Sequence, residues 1–463
     1  TACLRRFAQL PKGNFANKQD ISRNGGLEDR DMTETNINKK RTSNVSMQIE
    51  PSPELNSISD LPKITSFILP KEFELLPNAS EVFELEFAFY EHKFLTKEEI
   101  IRRGAFFKSI DGIPTYHYII CSNNSPLIWQ GRSELTKSYF KEGNFSTGYA
   151  THGLFPYRGK FHPQLIKGLL NILGIQPGGL VLDPMCGSGT LNVEAALIGI
   201  DSIGIEKSPF CVLMGKVKYE ALKIDNSELS AILKNMNKNY KVLISNKKLP
   251  KDFSYSNRFN HEKMITLLSF LDAMGYSRRC SKSIEVLFPS VLKRYVGQIN
   301  SFIQARDKLN LNIGNAKFEI GDARNLHLED ESIDAIITSP PYSFAIDYAE
   351  NDRPQLEYLG YDVSKLKSEM IGLKGNTKKE KITNYFDDMN KVLYEMARVL
   401  KIGNYAVIII GSNDIQTGGI RLETKVEEMA LKHGFSLDQK IVKPIKGIQN
   451  TMRDEYILFL RRS

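Results

Sequence analysis

Two short stretches combine residues that suit chemistry on a nucleoside-like ligand. The first, "LVLDPMCGSGT", places Asp183 beside Gly187 and Gly189, directly after an apolar run. Glycines allow a tight turn and a close approach of a ligand to the backbone. Glu206 follows roughly 20 residues later, where an acid that binds ribose hydroxyls is expected. The chain lacks GxGxxG and GxxxxGK[ST] phosphate loops, and Asp183 would repel phosphate, so we predict a site for a nucleoside that carries positive charge.

The second stretch, "TSPPYSFAIDY", starts at Thr338 and ends an apolar run with two prolines. Ser339 Oγ and the Pro340 carbonyl are acceptors that could grip an amine, and the prolines fix the backbone that carries them. Tyr342 could stack on a base, a contact worth about 1–3 kcal/mol. A simple loop that ends a strand is the alternative interpretation. The catalytic candidates are Ser339, Pro340, Pro341 and Tyr342.

Alternating strand and helix patterns must position these residues. Apolar strands are predicted at 178–184, 201–206, 316–322, 334–339 and 405–411, with helices at 190–199, 385–401 and 422–434. The helix over 385–401 is expected to stop at Gly403. "SLDQKIVKPI" and "DEYILFLRR" predict a final antiparallel hairpin. Fully apolar strands between helices predict an α/β, doubly wound, mostly parallel sheet with helices on both faces.

Composition divides the chain into four regions. Residues 1–60 are polar and predict a disordered tail, whereas 61–150 predict a small α+β region, which is the alternative to the insert for contact with the target. Residues 151–206 and 316–463 form the predicted catalytic domain. The insert at 207–315 interleaves basic and aromatic residues, which favours target recognition over a solvated helical bundle. Those residues are Arg258, Lys263, Arg278, Arg279, Lys282, Lys293, Arg294 and Tyr295.

Charge and cysteine content narrow the classes further. The 463 residues are 41% hydrophobic and 25% charged, with a net charge of +8, which is compatible with a polyanionic partner. Five widely spaced cysteines without a CxxC pair argue against a zinc site or a disulfide framework. The chain contains no run of 18 apolar residues and no signal-peptide core near residue 1, so we expect no membrane partner, no metal and a cytoplasmic location.

The stretches "DPMCGSGT", "GIEKSP", "GDARNL" and "TSPPY", with "THGLFPYRGKFHPQLIKGLL", resemble the motifs of S-adenosylmethionine-dependent amino-methyltransferases of DNA. The resemblance covers about 151–206 and 316–463 and implies a Rossmann-like class I methyltransferase fold with seven strands. It also implies S-adenosylmethionine as cofactor, with Glu206 on the ribose hydroxyls and Asp322 on the adenine amino group. The implied cofactor residues are Phe161, Pro163, Asp183, Pro184, Gly187, Gly189, Thr190, Glu206, Asp322 and Ala323.

The resemblance leaves the target base open between alternatives. The SPPY form is more typical of cytosine-N4 enzymes, and DPPY or NPPY is more typical of adenine-N6 enzymes or of guanine-amino enzymes on RNA. We therefore expect N4-methylation of cytosine in double-stranded DNA, with adenine-N6 methylation as the alternative. Guanine-N2 methylation of tRNA and a catalytically inactive specificity subunit rank lower. A cognate restriction endonuclease is the expected functional partner, in a prokaryotic, nucleoid-associated setting.

Asp347, Tyr348 and Arg353 are candidates for a lid, with Arg353 on a phosphate, or for an ordinary polar loop.

Overall fold

The computed structural model describes residues 83–122, 147–157, 160–246, 249, 260–341, 347–411, 419–444 and 454–463. The predicted disordered tail, Arg258 and Tyr342 lie outside the described residues. Near the start of the described chain lie five short elements, three helices and the two strands of a hairpin. They are α1 (Phe83–Phe94), α2 (Lys97–Arg103), β1 (Ser109–Ile110), β2 (Ile113–Pro114) and α3 (Tyr116–Ser122).

Strands and helices alternate from there on. The next elements are α4 (Pro163–Ile172), β3 (Leu180–Asp183), α5 (Thr190–Leu197), β4 (Asp201–Glu206) and α6 (Pro209–Glu220). The insert adds α7 (Asn226–Lys234), α8 (Met236–Ser245), α9 (His261–Ser277) and α10 (Ile284–Leu309). Then come β5 (Ala316–Ile320), β6 (Ile333–Thr338), α11 (Tyr348–Asn351), α12 (Arg353–Tyr358), α13 (Val363–Glu369), α14 (Lys378–Val399), β7 (Leu400–Gly411), α15 (Leu422–Lys432), β8 (Phe435–Pro444) and β9 (Asp454–Arg462).

Seven of these strands form one sheet in the order β5-β4-β3-β6-β7-β9-β8. The first five strands in this order, from β5 at the edge to β7, are parallel to one another. Strand β9 runs antiparallel to both β7 and β8. This order confirms the predicted Rossmann-like, mostly parallel sheet with an antiparallel hairpin. Strand order reverses between β3 and β6, and ligands of such sheets bind at this switch point.

Both faces of the sheet are buried, which explains why its strands are apolar throughout. Val181 and Ala335 face one core together with residues of α1 and α4. Their neighbours Leu182 and Ile336 face the opposite core, which α14 and α15 cover. Residues along a strand point alternately to the two faces, so a strand covered on both sides needs apolar residues at every position. No helix within the described residues is long and apolar enough to cross a membrane.

Helix α14 differs from its predicted bounds at both ends. It begins at Lys378 because Thr377 and Glu380 form a capping box, in which each side chain accepts from the other residue's backbone N–H. It ends at Val399 because Leu400 already pairs with Ile333 of β6. Gly403, the predicted stop, therefore lies inside β7 at a register shift, with a positive φ of 82°.

The insert is helical, and its core corrects part of the predicted recognition surface. Arg294 Nη2 donates to Asp272 Oδ2 at 2.6 Å, and the Tyr295 hydroxyl donates to the same oxygen at 3.0 Å. Asp272 and Tyr295 are buried between α9 and α10. The prediction that Arg294 and Tyr295 lie on a nucleic-acid surface is therefore wrong: they neutralise a buried carboxylate. The remaining described members, Lys263, Arg278, Arg279, Lys282 and Lys293, are exposed.

This assignment predicts a difference between two adjacent residues. Arg294→Met should lower the free energy of unfolding by about 3 kcal/mol, because it leaves the buried Asp272 carboxylate without its cation. Lys293→Met removes an exposed charge and should change it by less than about 0.5 kcal/mol. Urea denaturation followed by circular dichroism measures both. Equal stability of the two variants would contradict the core role of Arg294.

Candidate functional site

A cavity of about 580 Å³ opens at the carboxyl edge of the sheet, at the switch point. Its walls come from the chain that follows β3, β4, β5 and β6, from residues around 147–165, and from α11 and the end of α13. This volume lies in the range of small-ligand sites. Its predicted wall residues are Phe161, Pro184, Gly187, Glu206, Asp322, Ala323, Ser339, Pro340 and Pro341.

Glu206 is held at the end of β4 by backbone N–H groups. Its Oε2 accepts from Gly187 N at 2.9 Å, and its Oε1 accepts from Ser208 N at 2.9 Å. Burial raises the pKa of Glu206, although these backbone hydrogen bonds act in the opposite direction. Gly187 has φ of 49°, and a Cβ built there would meet nothing within 4 Å. The glycine turn thus leaves open space directly beside a fixed carboxylate.

Asp183 lies beneath this turn and is fully buried rather than part of the wall. Its Oδ1 accepts from the Thr338 hydroxyl at 2.7 Å and from Met185 N at 3.1 Å. Its Oδ2 has no hydrogen-bond partner among the described residues. Burial raises the pKa of Asp183 to about 7, and the Thr338 bond opposes this. A carboxylate in this state would gain from a nearby positive charge.

Three other predicted cofactor residues lie behind the cavity wall. Gly189 precedes α5 with φ of 76°, and a Cβ there would come within 2.9 Å of Gly215 Cα and 2.8 Å of the Phe318 ring. Thr190 is buried in the first turn of α5. Pro163 occupies the first turn of α4. The structure thus places all three residues where helices pack. Direct contacts between these residues and the cofactor stay a prediction.

Asp322 follows β5 and is already engaged by a cation. Arg324 Nε donates to Asp322 Oδ1 at 2.8 Å and its Nη2 to Oδ2 at 2.6 Å. Burial alone would raise the pKa of Asp322, but the Arg324 hydrogen bonds lower it below its usual value. Lys207 Nζ lies 3.7 Å from Asp322 and 2.8 Å from Glu369 of α13. Asp322 is therefore an ion-paired acceptor at the cavity wall.

Sequence reasoning missed several wall residues. Tyr157, Lys160 and His162 lie in the segment that carried the resemblance, next to the predicted Phe161, so proximity in sequence could have found them. Met370, Ile371 and Leu373 follow α13 and add an apolar wall that no motif indicated. Lys207 directly follows Glu206, and Arg324 lies two residues after Asp322; both cations pair with Asp322.

The predicted lid is helical rather than a loop. Tyr348 lines the cavity from α11, as a lid residue would. Arg353 instead pairs with Glu350 at 2.6 Å and Glu357 at 3.1 Å on its own helical face. Asp347 caps α11 and pairs with Lys367 of α13. In this arrangement Arg353 supports the helical wall, and its contact with a phosphate stays a prediction.

Comparison with known proteins places this geometry in context. The family model described as "UPF0020: RMKL-like, methyltransferase domain" matches residues 154–248. Type II methyltransferase M.MjaII of Methanocaldococcus jannaschii is 44% identical over 85 residues, 18% of this chain and 16% of that protein. Type II methyltransferase M.BsoBI of Geobacillus stearothermophilus is 23% identical over 279 residues, 47% of this chain and 54% of that protein.

An RNA-directed relative is also similar over a shorter stretch. The tRNA (guanine(10)-N2)-dimethyltransferase of Methanothermobacter thermautotrophicus is 36% identical over 52 residues, 11% of this chain and 16% of that protein. The chain thus spans between about a sixth and about half of the length of these relatives. The matches agree on methyl transfer and differ in their targets.

The cavity fits S-adenosylmethionine, the cofactor of this class. Asp183 has an unpartnered buried oxygen, and Gly187 leaves space that a side chain would fill. Among the described residues, neither Asp183 nor Glu206 has a Lys or Arg within ion-pair distance, so this region favours a cationic ligand. Glu206 would hold ribose hydroxyls, and Asp322 would accept from the adenine amine.

This electrostatic arrangement predicts that cofactor binding depends on pH. Asp183 is largely protonated below its raised pKa of about 7, so binding of a cation there must release its proton. S-adenosylmethionine affinity should therefore rise by up to about tenfold per pH unit between pH 5.5 and 7, and level off above. Calorimetry in buffers of different ionisation enthalpy measures both affinity and proton release.

Asp183→Asn provides the control for this pH dependence. The variant should bind more weakly at pH 8 and show a flatter profile, since an amide neither carries the charge nor titrates. Two results would contradict the role of Asp183: a wild-type affinity that falls as pH rises, or an Asp183→Asn variant with the same affinity as wild type.

A cavity beside the carboxylates of Asp183 and Glu206, at the switch point of this sheet, agrees with the family match over 154–248. The predicted resemblance to methyltransferases is confirmed by that match and by the type II relatives. We therefore conclude that the chain contains a Rossmann-like, S-adenosylmethionine-dependent methyltransferase domain, similar to those of the type II methyltransferases.

Proposed function

We propose that this chain transfers a methyl group from S-adenosylmethionine to the exocyclic N4 amine of cytosine in DNA. One observation carries the proposal: Ser339, Pro340 and Pro341 line the same cavity as Glu206 and Asp322. Two amine acceptors thus lie in one space with the groups assigned to the cofactor. The type II methyltransferases among the relatives support DNA as the target.

An exocyclic amine is a weak nucleophile because its lone pair is delocalised into the ring. When bound, S-adenosylmethionine supplies a methyl group on a sulfonium, which a nitrogen lone pair can accept as the carbon–sulfur bond breaks and leaves a neutral thioether. The methylated nitrogen then gives up one proton, in this proposal to solvent. Ser339 Oγ and the Pro340 carbonyl accept hydrogen bonds from the amine and orient that lone pair. Pro340 and Pro341 hold these acceptors because their rings fix φ.

The backbone behind the acceptors is also anchored. Thr338, the last residue of β6, donates its hydroxyl to Asp183 at the end of β3. The hydrogen bond ties the proline corner to the strand that leads into the glycine turn. In this proposal the bond sets the spacing between the amine acceptors and the cofactor residues.

The target base must leave the duplex to enter such a cavity, at a cost of a few kcal/mol. Tyr342, outside the described residues, is the proposed stacking partner.

Serine at the first corner position favours cytosine, with adenine-N6 methylation as the alternative. The tRNA (guanine(10)-N2)-dimethyltransferase among the relatives favours a second candidate, guanine-N2 methylation of tRNA. A catalytically inactive specificity subunit ranks last, because the glycines and the SPPY corner are both retained.

The turn between α9 and α10 is the proposed site of nucleic-acid contact. Helix α9 packs against α12, where Gln355 Nε2 donates to the Leu271 carbonyl at 3.2 Å, and α12 directly follows α11, which lines the cavity. Arg279 lies 4.9 Å from the Tyr276 ring centroid, which places a cation on an aromatic face. The proposal includes the insert at 207–315 as recognition domain, a cognate restriction endonuclease as functional partner and a cytoplasmic, nucleoid-associated location.

Ser339→Ala tests the amine-holding role. It should lower kcat by about 100-fold, because it removes a preorganised acceptor, and change the Kd for S-adenosylmethionine by less than about threefold. Transfer of labelled methyl groups to duplex DNA gives kcat, and calorimetry gives Kd. Ser332→Ala, which precedes the other end of β6, is the matched control and should leave both unchanged. Equal losses of kcat and affinity in Ser339→Ala would argue against the assigned role.

Nucleoside analysis of the labelled product tests the target. We expect N4-methylcytosine from duplex DNA, whereas N6-methyladenine would select the alternative base. Label found only in total tRNA, as N2-methylguanine, would replace the DNA proposal. No labelled base in either substrate would contradict both enzymatic readings.

Replacing Arg278, Arg279 and Lys282 with Gln tests the proposed contact turn. If all three contact phosphates, the slope of log KM for DNA against log salt should become shallower by about 2.7 units. Lys234, Lys238 and Lys241, exposed on or next to α7 and α8, provide a control of equal charge in the same insert. An equal change in the control variant would mean that net charge, and not this turn, governs binding.

A further inference from the structure

One wall of the cavity comes from a segment that is held in an unfavourable conformation. We call residues 147–157 and 160–162 the wall segment; five of them line the cavity, namely Thr147, Tyr157, Lys160, Phe161 and His162. Ala150 and Phe155 have φ of 47° and 56°, in the left-handed region that residues other than glycine rarely adopt. Such a backbone persists only when its surroundings impose it, and it is typical of ligand-binding segments.

A buried carboxylate on α5 makes the contacts that hold this segment. Glu194 is fully buried, and its Oε1 accepts from the Tyr149 hydroxyl at 2.7 Å and from His152 Nε2 at 2.6 Å. Its Oε2 lies 3.3 Å from Lys167 Nζ on α4. Two side chains of the wall segment thus converge on one oxygen of a residue that does not line the cavity.

A second link connects this contact to the cavity itself. Lys160 Nζ donates to the carbonyl of His152 at 3.2 Å and to the carbonyl of Thr147 at 3.1 Å. Lys160 therefore bridges two turns of the wall segment and also forms part of the cavity wall. Displacement of His152 would move the carbonyl that positions Lys160, and with it the neighbouring Phe161 and His162.

The charges show that the cluster is a fixed ion pair at neutral pH. Burial alone would raise the pKa of Glu194, but Lys167 and the His152 hydrogen bond lower it to about 2. Burial lowers the pKa of His152 to about 4, so its imidazole is neutral and donates from Nε2. Lys167 also lies 3.2 Å from His117 Nδ1 of α3, and burial lowers the pKa of His117 as well. The carboxylate charge is thus balanced by Lys167.

We propose that Glu194 is a positioning residue for the cofactor: through Tyr149 and His152 it holds the wall segment in the shape that binds S-adenosylmethionine, without contacting the cofactor. The proposal rests on the cofactor and not on the nucleic-acid target. Its test is a binding measurement, so a failure of methyl transfer to DNA or tRNA would leave it standing.

A second buried network provides the control. Glu91 of α1 is also fully buried, and it accepts from Asn171 Nδ2 at 2.6 Å, Ala105 N at 2.9 Å and Phe106 N at 3.2 Å. These partners lie on α4 and after α2, and none of them lines the cavity. Loss of Glu91 should therefore destabilise the fold without moving the wall segment.

The experiment compares donors of different kinds at position 152 with S-adenosylmethionine as the probe. His152→Leu removes the donor to Glu194 and should raise the Kd measured by calorimetry by about tenfold or more, since small displacements of a binding group cost large factors. His152→Gln restores an N–H donor of similar reach and should stay within about threefold of wild type. Glu91→Gln should stay within about twofold, whatever its melting temperature.

Melting temperatures of all variants separate stability from affinity. Tyr149→Phe removes one donor and one oxygen atom while the Glu194–Lys167 pair remains, so it provides a milder variant should His152→Leu fail to fold; its Kd should rise about threefold or more. The proposal is overturned if Glu91→Gln weakens binding as much as His152→Leu does. It is also overturned if Tyr149→Phe and His152→Leu bind S-adenosylmethionine as tightly as wild type.

Discussion

The free-energy cost of burying a carboxylate without a cation is the constraint on which this site depends. Two buried carboxylates are paired with a cation, Asp272 with Arg294 and Glu194 with Lys167. Glu91 is held instead by an amide and backbone N–H donors, away from the cavity. At the ends of β3 and β4, beside the cavity, Asp183 and Glu206 are also held by hydroxyl and backbone N–H donors alone among the described residues. Neutral donors orient a carboxylate but leave much of its charge uncompensated. In the proposed function, the positive charge of the cofactor supplies the missing compensation beside the residues that shape the turn.

The parallel sheet makes this concentration of acids possible. Because β5, β4, β3 and β6 are neighbours in that order and run in one direction, their carboxyl ends align Asp322, Glu206, Asp183 and Ser339 along one edge. In the proposed reaction the first three hold the nucleoside cofactor and the fourth holds the amine. The Thr338–Asp183 hydrogen bond lies where these two functions meet, so a substitution there would disturb both.

Sequence patterns predicted the features that depend on local rules. Apolar strands covered on both faces, glycines at a tight turn and acids at strand ends are visible as runs and spacings of a few residues. The prediction for Arg294 and Tyr295 was wrong because an exposed basic stripe and a buried ion pair have the same sequence pattern. Only the fold places their partner, Asp272, opposite them on another helix. The Glu194 cluster combines side chains from α3, the wall segment, α4 and α5, which together span residues 116–197, so no local pattern could assemble it. The start of α14 differs from its prediction for another reason. Its capping box, Thr377 and Glu380, precedes the apolar periodicity on which the predicted start was based.

The pairing of β3 with β6 has a consequence for how the protein is made. Val181 and Ala335 are hydrogen-bonded neighbours in the sheet but are separated by the helical insert, which has a hydrophobic core largely of its own. During synthesis the insert helices can collapse early, whereas the cavity is complete only after its last lining residue, Glu455, has been made. Thr338 of β6 donates to Asp183 at the end of β3. The strand that completes the surroundings of Asp183 therefore also brings Ser339 and Pro340 to the same edge, so the two parts of the cavity form together as β6 joins the sheet.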